Sequence, residues 1–247
     1  MLTVPPFETF LPAIMALPAG RALGRNELLV DALRLYRDRQ VEVYYMPTDG
    51  LNPVAKLMLV GITPGWTQME LAYRHVRLGL DNGLEPSEAQ WRARYAASFG
   101  GPMRRNLVTM LDGIGVNALL GVPSSHVLFE DEHPHLHSTS ILRHPVFVAG
   151  ANFTGHASIV THGALASTMV RNIFLRELAA LPGALIVPMG DYVSALLNGL
   201  VVETLVDPRR VLFGFPHPSG ANGHRKSRFE EQRDALAKKA QTWLSRA

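Results

Sequence analysis

The chain has 247 residues, 47% apolar and 18% charged. At that size one large domain, or at most two small ones, buries about 70–75% of its unfolded surface with no metal or disulfide staple. It has no cysteine, which excludes disulfides, thiolate zinc sites, iron–sulfur clusters and a cysteine nucleophile, and its net charge is only +3, although Arg outnumbers Lys twenty to four. That bias suits forked recognition of phosphate or carboxylate.

Met1 to Leu17 is apolar but lacks a basic leader, and Pro5, Pro6, Pro12 and Pro18 interrupt any long helix there. No run approaches the ~20 apolar residues of a membrane span. A soluble, cytoplasmic protein without membrane contact is the expectation. Residues 26–39 place Leu28, Leu29, Ala32, Leu33, Leu35 and Tyr36 at helical spacing behind Asn26, a candidate N-cap. Residues 1–50 are therefore read as a peripheral helical extension of a single domain spanning 1–247.

Val54 to Val60 is a nearly continuous apolar run ending at Gly61, as in a strand buried on both faces of a parallel sheet. Thr67 with Glu70, and Ser87 with Gln90, have capping-box spacing before two helices. Gly100-Gly101-Pro102 opens a third helix, through Leu107, Met110 and Leu111. The pattern then repeats: a strand over Leu136 to Leu142, a helix over Ala164 to Leu181, a strand over Ala184 to Val187, a helix over Asp191 to Leu200. It closes with a strand over Val211 to Gly214 and a long charged helix over Ser227 to Leu244. Such alternation implies a three-layer α/β/α fold around a central, mostly parallel four-stranded sheet, with ligands beyond the carboxyl ends of its strands.

Two of those ends carry unusual residues. In Gly61-Ile62-Thr63-Pro64-Gly65 the glycines open backbone conformations closed to other residues, and the following helix directs free N–H groups at the loop. An anion cradle and a plain strand-to-helix connector both fit, and neither a Walker loop nor a dinucleotide-binding turn is present. In Phe215 to Gly223, His217 sits between two prolines ahead of Gly220-Ala-Asn-Gly223, where it can serve either as a donor to a developing oxyanion or as a structural loop residue. No Gly-x-Ser-x-Gly elbow marks Ser219 as a nucleophile. His133-Pro-His-Leu-His137 has a metal-like spacing, but its proline and the neighbouring Glu130, Asp131 and Glu132 favour a solvated loop over a metal site. Phe99, just before Gly100-Gly101, is the aromatic placed to act as a stacking platform.

Taken in order, these segments resemble the uracil-DNA glycosylase superfamily. Gly61 to Gly65 is similar to the motif after that family's first core strand, and His217-Pro-Ser219 to the motif before its final helix. Phe99 to Gly115 resembles the segment with the base-stacking Phe, Thr139 to Pro145 the base-reading strand, and Leu185 to Gly190 an apolar strand of the family. The resemblance implies an enzyme, working without metal or cofactor, that flips a deaminated base out of DNA and hydrolyses its N-glycosidic bond. By position Thr63 and His217 would be catalytic, with His217 donating to the departing base. Gly61, Ile62, Pro64, Gly65, Gln68, Phe99 and Ser140 would form the base pocket. Ser219, Gly220, Asn222, Arg225, Lys226 and Arg228 would contact the DNA. A monomer acting on DNA with a damaged base is expected.

Thr63 and Ile62 stand where the family carries Asp or Asn, or Glu, and Ser140 stands where Asn is common. A threonine can hold water but is no general base, and Ser offers one short hydroxyl to a base edge. Gln68 and Glu70 are near enough in sequence to substitute. These departures motivate an alternative, a nucleic-acid or nucleotide-binding member of the same fold with weakened or lost catalysis. A third reading is an unrelated α/β enzyme using the same two loops. Residues 209–247 carry nine Lys/Arg against three acids, a net of +6, so the positive charge gathers at and behind the His217 loop.

Overall fold

The computed structural model describes residues 4–130, 133–155, 168–220 and 222–245. In chain order the elements are α1 (Phe7–Met15), α2 (Arg25–Leu28), β1 (Arg34–Asp38), β2 (Val41–Tyr44), β3 (Leu57–Gly61), α3 (Trp66–Asp81) and α4 (Pro86–Ala97). Then come α5 (Pro102–Gly113), α6 (Val116–Leu119), β4 (Leu136–Ser140), β5 (Val146–Val148) and β6 (Ala151–Asn152). A π-turn over Val170–Phe174 leads into α7 (Leu175–Ala180), and β7 (Leu185–Pro188), α8 (Asp191–Val202) and α9 (Arg225–Leu244) complete the chain. Where the sequence predicts one domain, the chain forms two compact units, each assembled from three stretches.

The first unit comprises Met1–Gly50, Thr63–Ser98 and Leu142–Phe174. Its sheet has the order β1-β2-β5-β6, antiparallel throughout. The helix predicted over 26–39 stops at Leu28, and the same apolar residues lead into β1, where Tyr36 pairs with Val43 and Asp38 with Val41. Leu28 to Tyr36 satisfies a helical stripe only in isolation; pairing with the β-branched strand Val41–Tyr44 decides the outcome. Arg39, in the two-residue turn, takes φ of 50°. Far from forming a helical appendage, residues 7–45 supply Phe10, Ile14, Leu28, Leu33, Tyr44 and Tyr45 to the buried core, against Met69, Tyr73 and Val76 of α3. Phe10 and Tyr45 stack with ring centroids 3.9 Å apart.

The second unit comprises Leu51–Ile62, Phe99–Ile141 and Leu175–Ala247. Its sheet is parallel and three-stranded, in the order β4-β3-β7, with Gly61 beside Ser140 and Val60 between Thr139 and Pro188. Every residue of β3 is buried, as its unbroken apolar run requires of a central strand. The fourth strand predicted over Val211 to Gly214 is reduced to one parallel bridge, Val211 with Ile186, continued by the Leu212 N–H to Ile186 carbonyl bond of 2.9 Å. Gly214, at φ of 90°, turns the backbone out of strand conformation two residues later. The helices predicted from Pro102, Asp191 and Ser227 are present as α5, α8 and α9, and α8 and α9 pack against β7. Residues 164–167 of the predicted Ala164–Leu181 helix lie outside the described residues, as do Asp131, Glu132 and Ala221.

No helix among the described residues is long and apolar enough to cross a membrane.

Candidate active site

The first-loop candidates divide between the units. Thr63, Pro64, Gly65 and Gln68, in the first unit, are half-buried. Thr63 Oγ1 donates to the His144 carbonyl at 2.9 Å and accepts from the Val146 N–H at 3.1 Å, so its only proton is committed to the backbone. Two amides at the entry to α3 are satisfied in the same way. Gln68 Oε1 accepts from the Gly65 N–H at 2.9 Å, and Asn152 Oδ1 accepts from the Trp66 N–H at 3.0 Å. Only the Gln68 half of a capping box is present, with Gly65 as an extended N-cap two residues before the Thr67 predicted from spacing and no N-cap side chain to complete it. Glu70 instead accepts from the Leu23 N–H at 3.1 Å and pairs with Arg74 at 2.9 Å. The Thr63 hydroxyl and the Gly65 and Trp66 amides are thus used by the strand-to-helix connection.

The second unit gathers the other candidates along the carboxyl edge of its parallel sheet. A β-carbon on Gly61 would stand 3.3 Å from Ser140 Oγ and 3.7 Å from Phe99 Cε1, so the glycine is what lets a hydroxyl and an aromatic ring close over the end of β3. Ser140 Oγ has no hydrogen-bond partner among the described residues. Phe99 holds φ of 48°, a strained backbone for a bulky L-residue and one that persists only where the surroundings impose it. Ile62, next along the chain, is half-buried.

On the other side of β3, the Met189 N–H donates to the Val60 carbonyl at 2.9 Å and the Gly190 N–H to the Phe215 carbonyl at 3.2 Å. Gly190, at φ of 88°, lies so close to the last loop that a β-carbon there would stand 3.0 Å from His217 Cβ. The half-buried His217 accepts the Ser219 N–H on Nδ1 at 3.2 Å. Burial holds its imidazole below the usual range, so at neutral pH it is uncharged, with its proton on Nε2. Nε2 has no partner among the described residues: a neutral N–H donor is left available on a rigid loop.

Of the predicted DNA contacts, Gly220 and Lys226 are exposed. Arg228 pairs with Asp191 at 2.8 Å, while Asn222 and Arg225 turn inward and donate to carbonyls of the His217 loop.

One relative of this chain is the uncharacterized protein YoxB of Bacillus subtilis (strain 168), 34% identical over 240 residues that cover 96% of this chain and 93% of YoxB. The chain belongs to the YoxB family. No family model and no solved structure matches it.

This YoxB-family chain also holds a polar cluster that the sequence reading missed. On β4, opposite in alternation to Ser140, Thr139 Oγ1 donates to buried Glu177 of α7 at 2.5 Å, and fully buried His137 Nε2 lies 3.7 Å from the same carboxylate. Asn52 Nδ2 donates to the Pro134 and Leu136 carbonyls at 2.8 and 2.9 Å, fixing the start of the strand. The period-2 spacing of His137 and Thr139 is a usable signal for one face; nothing in sequence links them to Glu177. His137 is thereby separated in role from His133 and His135, whose ring centroids lie 5.3 Å apart. Among the described residues no group of three or more His, Asp or Glu is placed to hold a metal ion.

Proposed function

We propose that this chain is a uracil-DNA-glycosylase-like hydrolase that cleaves the N-glycosidic bond of a flipped uracil or other deaminated base in DNA. The observation that carries this reading is the edge of the parallel sheet in the second unit, where Gly61, Ser140 and Phe99 meet and His217, seated on Gly190, keeps Nε2–H available. Cleavage leaves negative charge on the departing base, and a preorganised neutral donor stabilises it where water is excluded. Phe99 supplies the stacking face, and Ser140 Oγ the one hydroxyl for a base edge, able both to donate and to accept. Gly220 and exposed Lys226 supply the contact with backbone phosphate. The full three-layer architecture around this mostly parallel sheet, with the Val211 bridge at its edge beside β7, belongs to the same proposal.

A second reading, nucleic-acid or nucleotide binding without efficient hydrolysis, is favoured by one observation: Thr63, at the water-positioning place that the glycosylase resemblance implies, commits its hydroxyl donor to the His144 carbonyl.

One experiment separates the two. Single- and double-stranded oligonucleotides containing uracil, hypoxanthine, xanthine or thymine opposite guanine are incubated with the protein, and abasic sites are opened with alkali. Strand breaks at the modified base support hydrolysis. Salt-sensitive binding without breaks supports the binding reading, and absence of binding at low salt removes both.

A further inference from the structure

Three successive backbone carbonyls of the last loop are each held by a side-chain donor. Asn222 Nδ2 donates to the His217 carbonyl at 3.2 Å, and Asn106 Nδ2 to the Pro218 carbonyl at 2.9 Å. Arg225 Nη1 donates to the Ser219 carbonyl at 2.7 Å and reaches the Pro218 carbonyl at 3.4 Å. Asn222 and Arg225 follow the loop in sequence. Asn106 comes from α5, the helix that begins at Pro102, shortly after the strained Phe99.

The brace has a direction. Pro218 has no N–H, so the first amide after His217 able to donate is that of Ser219; it shares one planar peptide group with the Pro218 carbonyl that Asn106 and Arg225 hold, and its N–H meets His217 Nδ1 at 3.2 Å. That bond decides which imidazole nitrogen carries the proton. Without it the two tautomers of a neutral histidine compete, and the Nε2–H donor is only partly populated. Loop glycines at 220 and 223 impose no such geometry by themselves, since glycine leaves the backbone free.

We propose that Asn106 and Arg225 are positioning residues that fix His217 as its Nε2–H tautomer; this rests on His217 being the donor of the reading above. Arg225 is then a brace within the protein instead of a phosphate contact, and α5 couples the segment that carries Phe99 to the loop that carries His217. One neutral hydrogen bond at Nδ1 biases the tautomers by roughly two- to tenfold.

The test is the tautomer itself. In the full-length chain with ¹⁵N-labelled imidazoles, two-bond ¹⁵N–¹H correlation at pH 7.5 separates protonated from unprotonated ring nitrogens, and the His217 signals are those missing from His217→Gln. The wild type is expected to show an unprotonated Nδ1 and a protonated Nε2. Asn106→Asp, equal in size but without the donor, and Arg225→Ala are each expected to move both nitrogens toward averaged positions while the other histidine signals stay in place. Arg225→Lys, which keeps a donor, is expected to recover part of the wild-type pattern. If His217 keeps a single Nε2–H tautomer in both donor-less variants, the inference is overturned. In a base-release assay the same two variants are expected to lower kcat with little change in KM. A chain with the predicted tautomer shifts that releases no base would retain the brace and lose the glycosylase reading. One that cleaves while both variants keep the wild-type tautomer would do the reverse.

Discussion

The two glycine-containing loops of this chain end in opposite states. From Thr63 to Trp66 polar groups are used by the scaffold: the threonine hydroxyl bonds to the backbone at 144 and 146, and the Gly65 and Trp66 amides are closed by Gln68 and Asn152. From His217 to Ser219 the carbonyls are equally well held, yet that restraint leaves Nε2 of His217 without a partner among the described residues. Glycines, prolines and a helix start are common to both loops, so composition alone does not mark a site. The mark is a donor left open by a rigid surround, because holding the group in place beforehand is what gives it catalytic value.

The largest expected effect separates the loops directly. His217→Ala should lower the rate of base release by roughly 10²-fold or more, as for loss of an oxyanion donor, read in single-turnover cleavage. An unchanged rate would remove His217 from the chemistry. Thr63→Val should act on folding instead: with the His144 carbonyl and Val146 N–H stripped of their partner, it should cost about 1–3 kcal/mol in denaturant unfolding. A stability equal to wild type would show that this hydroxyl is not structural.

Gly190→Ala tests how closely the last loop is seated. Its backbone lies at φ of 88° and ψ of 177°, a region essentially confined to glycine that costs about 1–3 kcal/mol for a residue with a β-carbon, and that carbon meets His217 Cβ at 3.0 Å, so stability and cleavage should fall together. The smallest effect is in pH. Burial holds His217, His133 and His135 below the usual imidazole range, so the unfolded chain takes up their protons first as pH falls below about 6.5, and stability declines from there. The thermal midpoint should drop between pH 7.5 and 5.5, and drop less in His217→Asn; an identical drop would place His217 in a more solvated setting.

Much of the second unit was legible from sequence because its signals are local. The apolar run before Gly61 marks β3, Gly101-Pro102 marks the start of α5, and the strand ends point to Gly61 and His217, while Ser140 is reached only through the glycosylase resemblance. The first unit departs from its sequence pattern where strand pairing overrides a helical stripe: Leu28 to Tyr36 fits a helix until the adjacent Val41 to Val43 supplies a hairpin partner, and that strand is itself held by Val146 to Val148, a hundred residues later. The capping shift from Thr67 to Gly65 was hidden because a glycine N-cap has no side chain to announce it. Side-chain couplings were out of reach altogether. No spacing rule joins Thr139 to Glu177, or Asn106 to Pro218, since both depend on how separate elements pack.

The central claim is most directly tested by mass spectrometry of the free base released from an oligonucleotide panel carrying uracil, hypoxanthine or xanthine. The account predicts that the wild-type chain releases at least one of these bases in step with abasic-site formation, and that His217→Ala does so roughly 10²-fold more slowly. A wild-type protein that binds the same oligonucleotides in a salt-dependent way but releases no base from any of them would contradict it.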